Sequence, residues 1–254
     1  MKMKKLMILA AALTCGAVMA DGVSSDNIVG YVTYTTQADK MDIYGAPFVN
    51  VGGNDISIQN VQLGAGADAS GQDMLMVFDP NTLTYKIFFW MPTTYSADYM
   101  TTYGAGWADA GWVRQDATIN PGQGFWLQTK AAVTVTVPGQ VMAGDQNTTT
   151  TVGGKMDIYT GIYPMGMSIQ DCKITSGADA AGQDMLMVFD PATVSYTIYF
   201  WMGTTYSADY LTTYSAGWAD AGWVRQDVTL NVGQGFWLQT IGDCEVTFTA
   251  PQGL

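Results

Sequence analysis

Between residues 133 and 137, apolar Val133, Val135 and Val137 alternate with Thr134 and Thr136, a period of two that predicts a strand with one buried and one wet face. The alternation returns with Cys244, Val246 and Phe248 set inward and Glu245, Thr247 and Thr249 outward. Residues 74–78 and 85–91 are instead apolar on both faces, as in strands covered on each side or lining a contact surface. Turn residues separate these runs at Asp79-Pro80-Asn81, Asn120-Pro121-Gly122 and Val51-Gly52-Gly53-Asn54. Outside residues 1–20 no window carries the period of an amphipathic helix. The pattern predicts an all-β chain built as β-sandwich or small-barrel units, of which the sandwich is the preferred reading.

The pattern occurs twice. Residues 66–125 return as 177–236 at a constant offset of 111, with most positions identical. GQDMLMVFDP starts at Gly71 and Gly182, AGWADAGWVRQD at Ala105 and Ala216, and GQGFWLQT at Gly122 and Gly233. KMDIY, at Lys40 and Lys155, has a different offset, so the second copy carries a shorter loop before its core. An entry strand, Val29-Gly30-Tyr31-Val32, reads as echoed by Pro138-Gly139-Gln140-Val141. On that reading residues 21–138 form module 1 and residues 139–254 form module 2.

Residues 1–20 read as an export signal: Lys2, Lys4 and Lys5 precede the apolar run 6–13, and the small-residue site Val18-Met19-Ala20 follows. The run is far short of the roughly 20 apolar residues that span a bilayer, so no membrane span is expected in the mature chain. Cys15 would leave with the signal. The formal charge of −12 becomes more negative once those three lysines are gone, which argues against nucleic acid and anionic membrane as partners. With 48% hydrophobic and only 13% charged residues, the chain reads as folded rather than as a disordered acidic tail.

Two cysteines remain, Cys172 and Cys244, and their module 1 counterparts are Val61 and Val133. Joint replacement of two apolar positions predicts that they touch in the core, and an oxidising compartment then predicts a disulfide. Closing a loop of about 70 residues would contribute about 4 kcal/mol in the chain-entropy model.

The chain contains no histidine, which argues against the imidazole-based triads and the usual zinc sites. Carboxylate pairs remain, through Asp68, Asp73, Asp79, Asp98, Asp109 and Asp116 and their copies Asp179, Asp184, Asp190, Asp209, Asp220 and Asp227. They leave a carboxylate-based glycoside hydrolase as a third and weaker alternative. No cofactor is expected apart from calcium, for which Asp68 and Asp73, with Asp179 and Asp184, flank a glycine turn; Asx-type turns explain the same residues.

Each module has four tryptophans at matched places. If Tyr85, Ile87 and Phe89 fill the core, then Phe88 and Trp90 face outward, as do Tyr199 and Trp201 in the second copy. By the same logic Phe125 and Leu127 point in while Trp126, with Trp237 in the copy, points out. These six residues, Phe88, Trp90, Trp126, Tyr199, Trp201 and Trp237, are the candidate ligand-binding set, since flat aromatic faces stack on sugars and anchor protein interfaces. The alternative is burial of both faces. Arg114 and Arg225, the only arginines, are expected to pin a loop beside Asp109 and Asp116.

The opening Asn27-Ile28-Val29-Gly30-Tyr31-Val32, the strand 73–79, the Gly-Trp turn and the segment 121–127 together resemble a group of uncharacterised secreted tandem-repeat β proteins of Gram-negative bacteria. In module 2 Val232 replaces the proline of the last segment. The resemblance implies location and repeat architecture and no catalytic activity. The leading expectation is an exported, non-catalytic structural or adhesive protein, extracellular or at the cell surface, with the periplasm left open. Its partners would be an extracellular glycan, a protein matrix or other copies of itself. The alternative is a dedicated carbohydrate-binding protein.

Overall fold

The computed structural model describes residues 29–50, 55–144 and 146–250. The export signal, Cys15 and the turn at 51–54 lie outside the described residues. Module 1 comprises β1 (Val29–Thr35), β2 (Met41–Gly45), β3 (Ile56–Ser57), β4 (Gln62–Leu63), β5 (Met74–Asp79), β6 (Thr84–Met91), α1 (Ala97–Thr102), β7 (Gly106–Ala108), β8 (Thr118–Ile119), β9 (Gly124–Gln128) and β10 (Thr134–Gln140). Module 2 repeats this order as β11 (Gln146–Thr150), β12 (Met156–Thr160), β13 (Met167–Ser168), β14 (Cys172–Ser176), β15 (Met185–Asp190), β16 (Ser195–Met202), α2 (Ala208–Tyr214), β17 (Gly217–Ala219), β18 (Thr229–Leu230), β19 (Gly235–Gln239) and β20 (Glu245–Thr249).

In each module a five-stranded antiparallel sheet, β2-β9-β5-β6-β7 or β12-β19-β15-β16-β17, faces a three-stranded one, β1-β10-β4 or β11-β20-β14, with a two-stranded ladder beside them. Between the layers of module 1 lie Val135 and Val137 of the smaller sheet, with Val133 just before it, and Leu75, Val77, Phe88, Trp90, Trp107, Phe125 and Leu127 of the larger one. The alternating valines thus face inward, as the period of two requires. The chain is two duplicated β-sandwiches.

The ladder revises two expectations. Val29, Gly30 and Tyr31 pair with Gln140, Gly139 and Pro138, so the two similar segments are neighbours in one sheet rather than copies. The counterpart of β1 is β11, which holds the same place beside β20. The expected boundary at 138/139 therefore falls inside β10, and the junction lies between Gln140 and Gln146.

The disulfide is also corrected: Cys172 and Cys244 are both buried free thiols. Along β14 and β20, Cys172 stands opposite Phe248, four positions beyond Cys244. At about 3.4 Å per residue that separation is about 14 Å, twice the Cα reach of a disulfide. The paired Val61 and Val133 are likewise both core residues, so sharing a core did not mean touching.

Two short helices were missed, because six or seven residues carry too little periodicity to register. Their signal is local: Ser96 and Ser207 cap them by accepting the N–H of Tyr99 and Tyr210, and Asp98 and Asp209 occupy the first turn. Among the described residues no helix is long and apolar enough to cross a membrane.

Candidate functional site

The six aromatic candidates are all buried. On β6 the inward face carries Phe88 and Trp90, the reverse of the expected assignment, because the register sets Leu75 beside Phe88 and Trp90 beside Trp107. Trp107 is fully buried and its Nε1 donates to Val61 O at 2.6 Å, which anchors the neighbouring strands on that side. Trp90 packs edge-on against Trp107 at 5.2 Å, and Trp201 against Trp218 at the same distance. Phe88 and Tyr199 lie in the same two cores.

Trp126 and Trp237 do lie on the outer faces, but each module covers the other. Ile43, Phe78 and Trp126 pack with Ile158, Phe189 and Trp237 in one cluster, bordered by Met41, Met76, Met156 and Met187. Phe78 meets Trp237, and Phe189 meets Trp126, at 5.1 Å in both cases. Gly45 N donates to Gly233 O at 2.9 Å, and Thr160 N to Gly122 O at 2.8 Å. Each of these contacts recurs with the modules exchanged, which defines a pseudo-two-fold seam.

Glycine permits this approach. A Cβ on Gly124 would stand 2.5 Å from Ile158 Cγ2, and one on Gly235 would stand 2.3 Å from Ile43 Cγ2. The repeated GQGFWLQT segment thus serves as a docking strand.

Two clefts flank the seam. One of about 540 Å³ combines Asp79, Asn81 and Gln123 with Asp157 and Tyr159. The other, about 410 Å³, combines Asp190, Asn231 and Gln234 with Asp42 and Tyr44. Burial raises Asp42 to about 6, opposed by the N–H of Ile43 at 2.7 Å and reinforced by Asp190. Asp157 is raised to about 6 in the same way, with Asp79 reinforcing. Asp42 and Asp157 were missed by sequence reasoning; the available signal was an aspartate repeated inside the apolar KMDIY strand.

The calcium candidates are engaged by protein donors. Asp73 Oδ2 accepts Asp68 N at 2.6 Å and its Oδ1 accepts Lys130 N at 2.8 Å. Asp68 Oδ2 accepts Ser70 N and Gln72 N, both at 3.0 Å. Asp179 and Asp184 repeat this arrangement toward Ala181, Gln183 and Ile241. Their geometry is that of Asx turns and buried staples. Arg114 pins a loop as expected, but through the carbonyls of Tyr103 and Ala105 at 2.8 and 2.9 Å rather than through a carboxylate.

The outer face of β6 and the turn after β7 are open to solvent. Tyr85, Ile87, Trp112 and Val113 are exposed there, as are Tyr196, Ile198, Trp223 and Val224 in module 2. Trp112 and Trp223 both hold φ at +61°, a conformation a bulky residue rarely adopts. The turn enforces it: Asp109 Oδ1 accepts Gly111 N at 2.9 Å and Val113 N at 3.1 Å, while Trp112 N donates to Asp109 O. The indole leans on Phe89 at 5.9 Å and Tyr95 at 5.8 Å, and Trp223 leans on Phe200 and Tyr206 at 5.8 Å each. Behind each shelf, Tyr99 Oη and Tyr210 Oη are buried without a hydrogen-bond partner. No protein-family model, curated protein or solved structure matches the chain.

Proposed function

We propose that the chain is an exported, non-catalytic adhesive protein that holds an extracellular glycan or protein matrix through two aromatic shelves centred on Trp112 and Trp223. The observation that carries this reading is the pair of indoles held at φ +61° with 43% and 44% of their surface exposed. Backbone strain persists where surrounding structure enforces it, and such positions cluster at ligand clamps. Here the same strain is built twice, and its product is an exposed aromatic ring. Two equivalent sites raise the affinity for a repetitive surface by avidity when both engage. The leader sequence supports export, and the lack of histidine supports a binding role.

The carbohydrate-binding alternative moves to these shelves from the buried tryptophans. Indole faces stack on the apolar faces of sugar rings, and Tyr95 beside Trp112 and Tyr206 beside Trp223 supply hydroxyls. The test is an array of immobilised glycans and extracellular matrix proteins probed with the chain lacking residues 1–20. Saturable binding that is lost in the Trp112→Ala/Trp223→Ala double variant supports the proposal, and binding to glycans alone selects the alternative. Binding that the double variant leaves unchanged overturns both.

A further inference from the structure

The apolar centre of the seam between the modules is made of the same residue types on both sides. Ile43, Phe78 and Trp126 face Ile158, Phe189 and Trp237, and the two Phe–Trp contacts share one distance with interplanar angles of 75° and 77°. Backbone crossings are exchanged in the same manner: Tyr44 bridges Gln234 as Gln123 bridges Tyr159. Such an interface is isologous, the type that joins subunits of symmetric dimers, although here both halves lie on one chain. Any module 1 face fits any module 2 face, whichever chain supplies it.

One covalent connection limits that choice. The junction between Gln140 and Gln146 includes Val141, packed on the first core, and Met142, packed on the second. Gly144 follows at φ +97°, and its carbonyl accepts Tyr163 Oη at 2.9 Å. Among the described residues, opening the chain here gives up these contacts and the one that Asn147 Nδ2 donates to Met142 Sδ, and leaves both sandwiches and both halves of the seam intact. Glycine at the junction supplies the backbone freedom for the opened path.

We infer that two copies of this chain exchange modules, module 1 of each docking on module 2 of the other, to give a closed dimer that rebuilds the seam twice. Within one chain the short junction holds the modules at an effective concentration on the order of millimolar. Dilute chains therefore close on themselves. Chains that fold while crowded, as at a secreting cell surface, exchange, and the dimer persists because reverting requires two large apolar seams to open at once. A dimer of this kind presents four aromatic shelves instead of two, although the exchange itself does not depend on what the shelves bind.

The test uses the chain without residues 1–20, and so without Cys15, with Cys172→Val and Cys244→Val, the residues that module 1 carries at those places, and adds Tyr44→Cys and Gln234→Cys across the bridge. Chains with two different tags are unfolded together in urea, refolded at about 0.01 mM or about 1 mM, oxidised, and analysed by light scattering and non-reducing gel. The expected result is a monomer with an internal disulfide from dilute refolding. Crowded refolding is expected to give a dimer, enriched at least about tenfold, whose disulfides link differently tagged chains. Absence of a dimer at the higher concentration, or a dimer whose disulfides are all internal, overturns the inference. If the first pair impairs folding, Gln123→Cys with Tyr159→Cys places the same lock at the two-fold-related bridge.

Discussion

Phe78 of one module stands edge-on to Trp237 of the other at 5.1 Å, and this contact, with its twin between Phe189 and Trp126, sits at the centre of the seam. Truncating Trp237 to alanine removes a buried indole from a cluster that backbone bridges keep from collapsing. A cost of about 3–5 kcal/mol is expected. Phe78→Ala then loses little more in the Trp237→Ala background than its own packing, and the double-mutant cycle returns a coupling of about 1 kcal/mol. Urea unfolding followed by circular dichroism measures both. A coupling near zero would mean that the two rings do not touch in solution.

The seam also makes stability depend on pH. Asp42 and Asp157 titrate near 6 in the folded chain, against 3.8 for an ordinary aspartate, chiefly because burial disfavours the charged form. Between these values the unfolded chain has released protons that the folded chain retains. Stability therefore falls as pH rises from about 4 to about 6, and the full loss persists above that range. The Asp42→Asn/Asp157→Asn variant should melt higher than the parent at about pH 8 and show no advantage at about pH 4, as read from thermal melts across that range. A difference that does not vary with pH would assign the effect to something other than these ionisations.

Much of this architecture was legible in the sequence, and two of the errors share one cause. Period-two runs such as Val133, Val135 and Val137 fixed strands, and the duplication fixed two like modules. Alternation says that two faces differ but does not say which one meets the core when both are apolar. On β6, Tyr85-Ile87-Phe89 and Phe88-Trp90 are equally apolar choices, and only the register that brings Trp90 to Trp107 decides between them. The disulfide failed similarly: Cys172 and Cys244 belong to one core, but their separation along paired strands is set by register. Trp112 was hidden for a different reason, since its importance lies in a backbone angle and not in its place in a pattern.

Two tryptophans five positions apart should therefore behave in opposite ways. Trp107 is fully buried with its Nε1 bonded to Val61 O, so Trp107→Ala should cost about 3–5 kcal/mol. Trp112→Gly loses an exposed ring but relieves a left-handed angle that glycine adopts freely, so stability should stay within about 1 kcal/mol of the parent. Urea unfolding of the two variants side by side checks the contrast. A large loss from Trp112→Gly would make that ring a packing residue and weaken the case for a binding shelf.

Cysteine chemistry offers the most direct check on the β14–β20 register. Cys172 lies opposite Phe248, and Cys244 is held by its own neighbours, with Sγ donating to Gly177 O at 3.1 Å and to Gly242 O at 3.4 Å. The second contact closes a local turn. Burial raises the pKa of both thiols, so little thiolate is present near neutral pH and access is poor. In the folded chain neither should react with a thiol reagent over minutes, whereas in denaturant without reductant both should react at once. A denatured, unreduced chain in which neither cysteine reacts would contain the disulfide after all. The strands would then have to slip by four residues, exchanging Phe248 for Cys244 opposite Cys172 and displacing Val246 from its place beside Ile174.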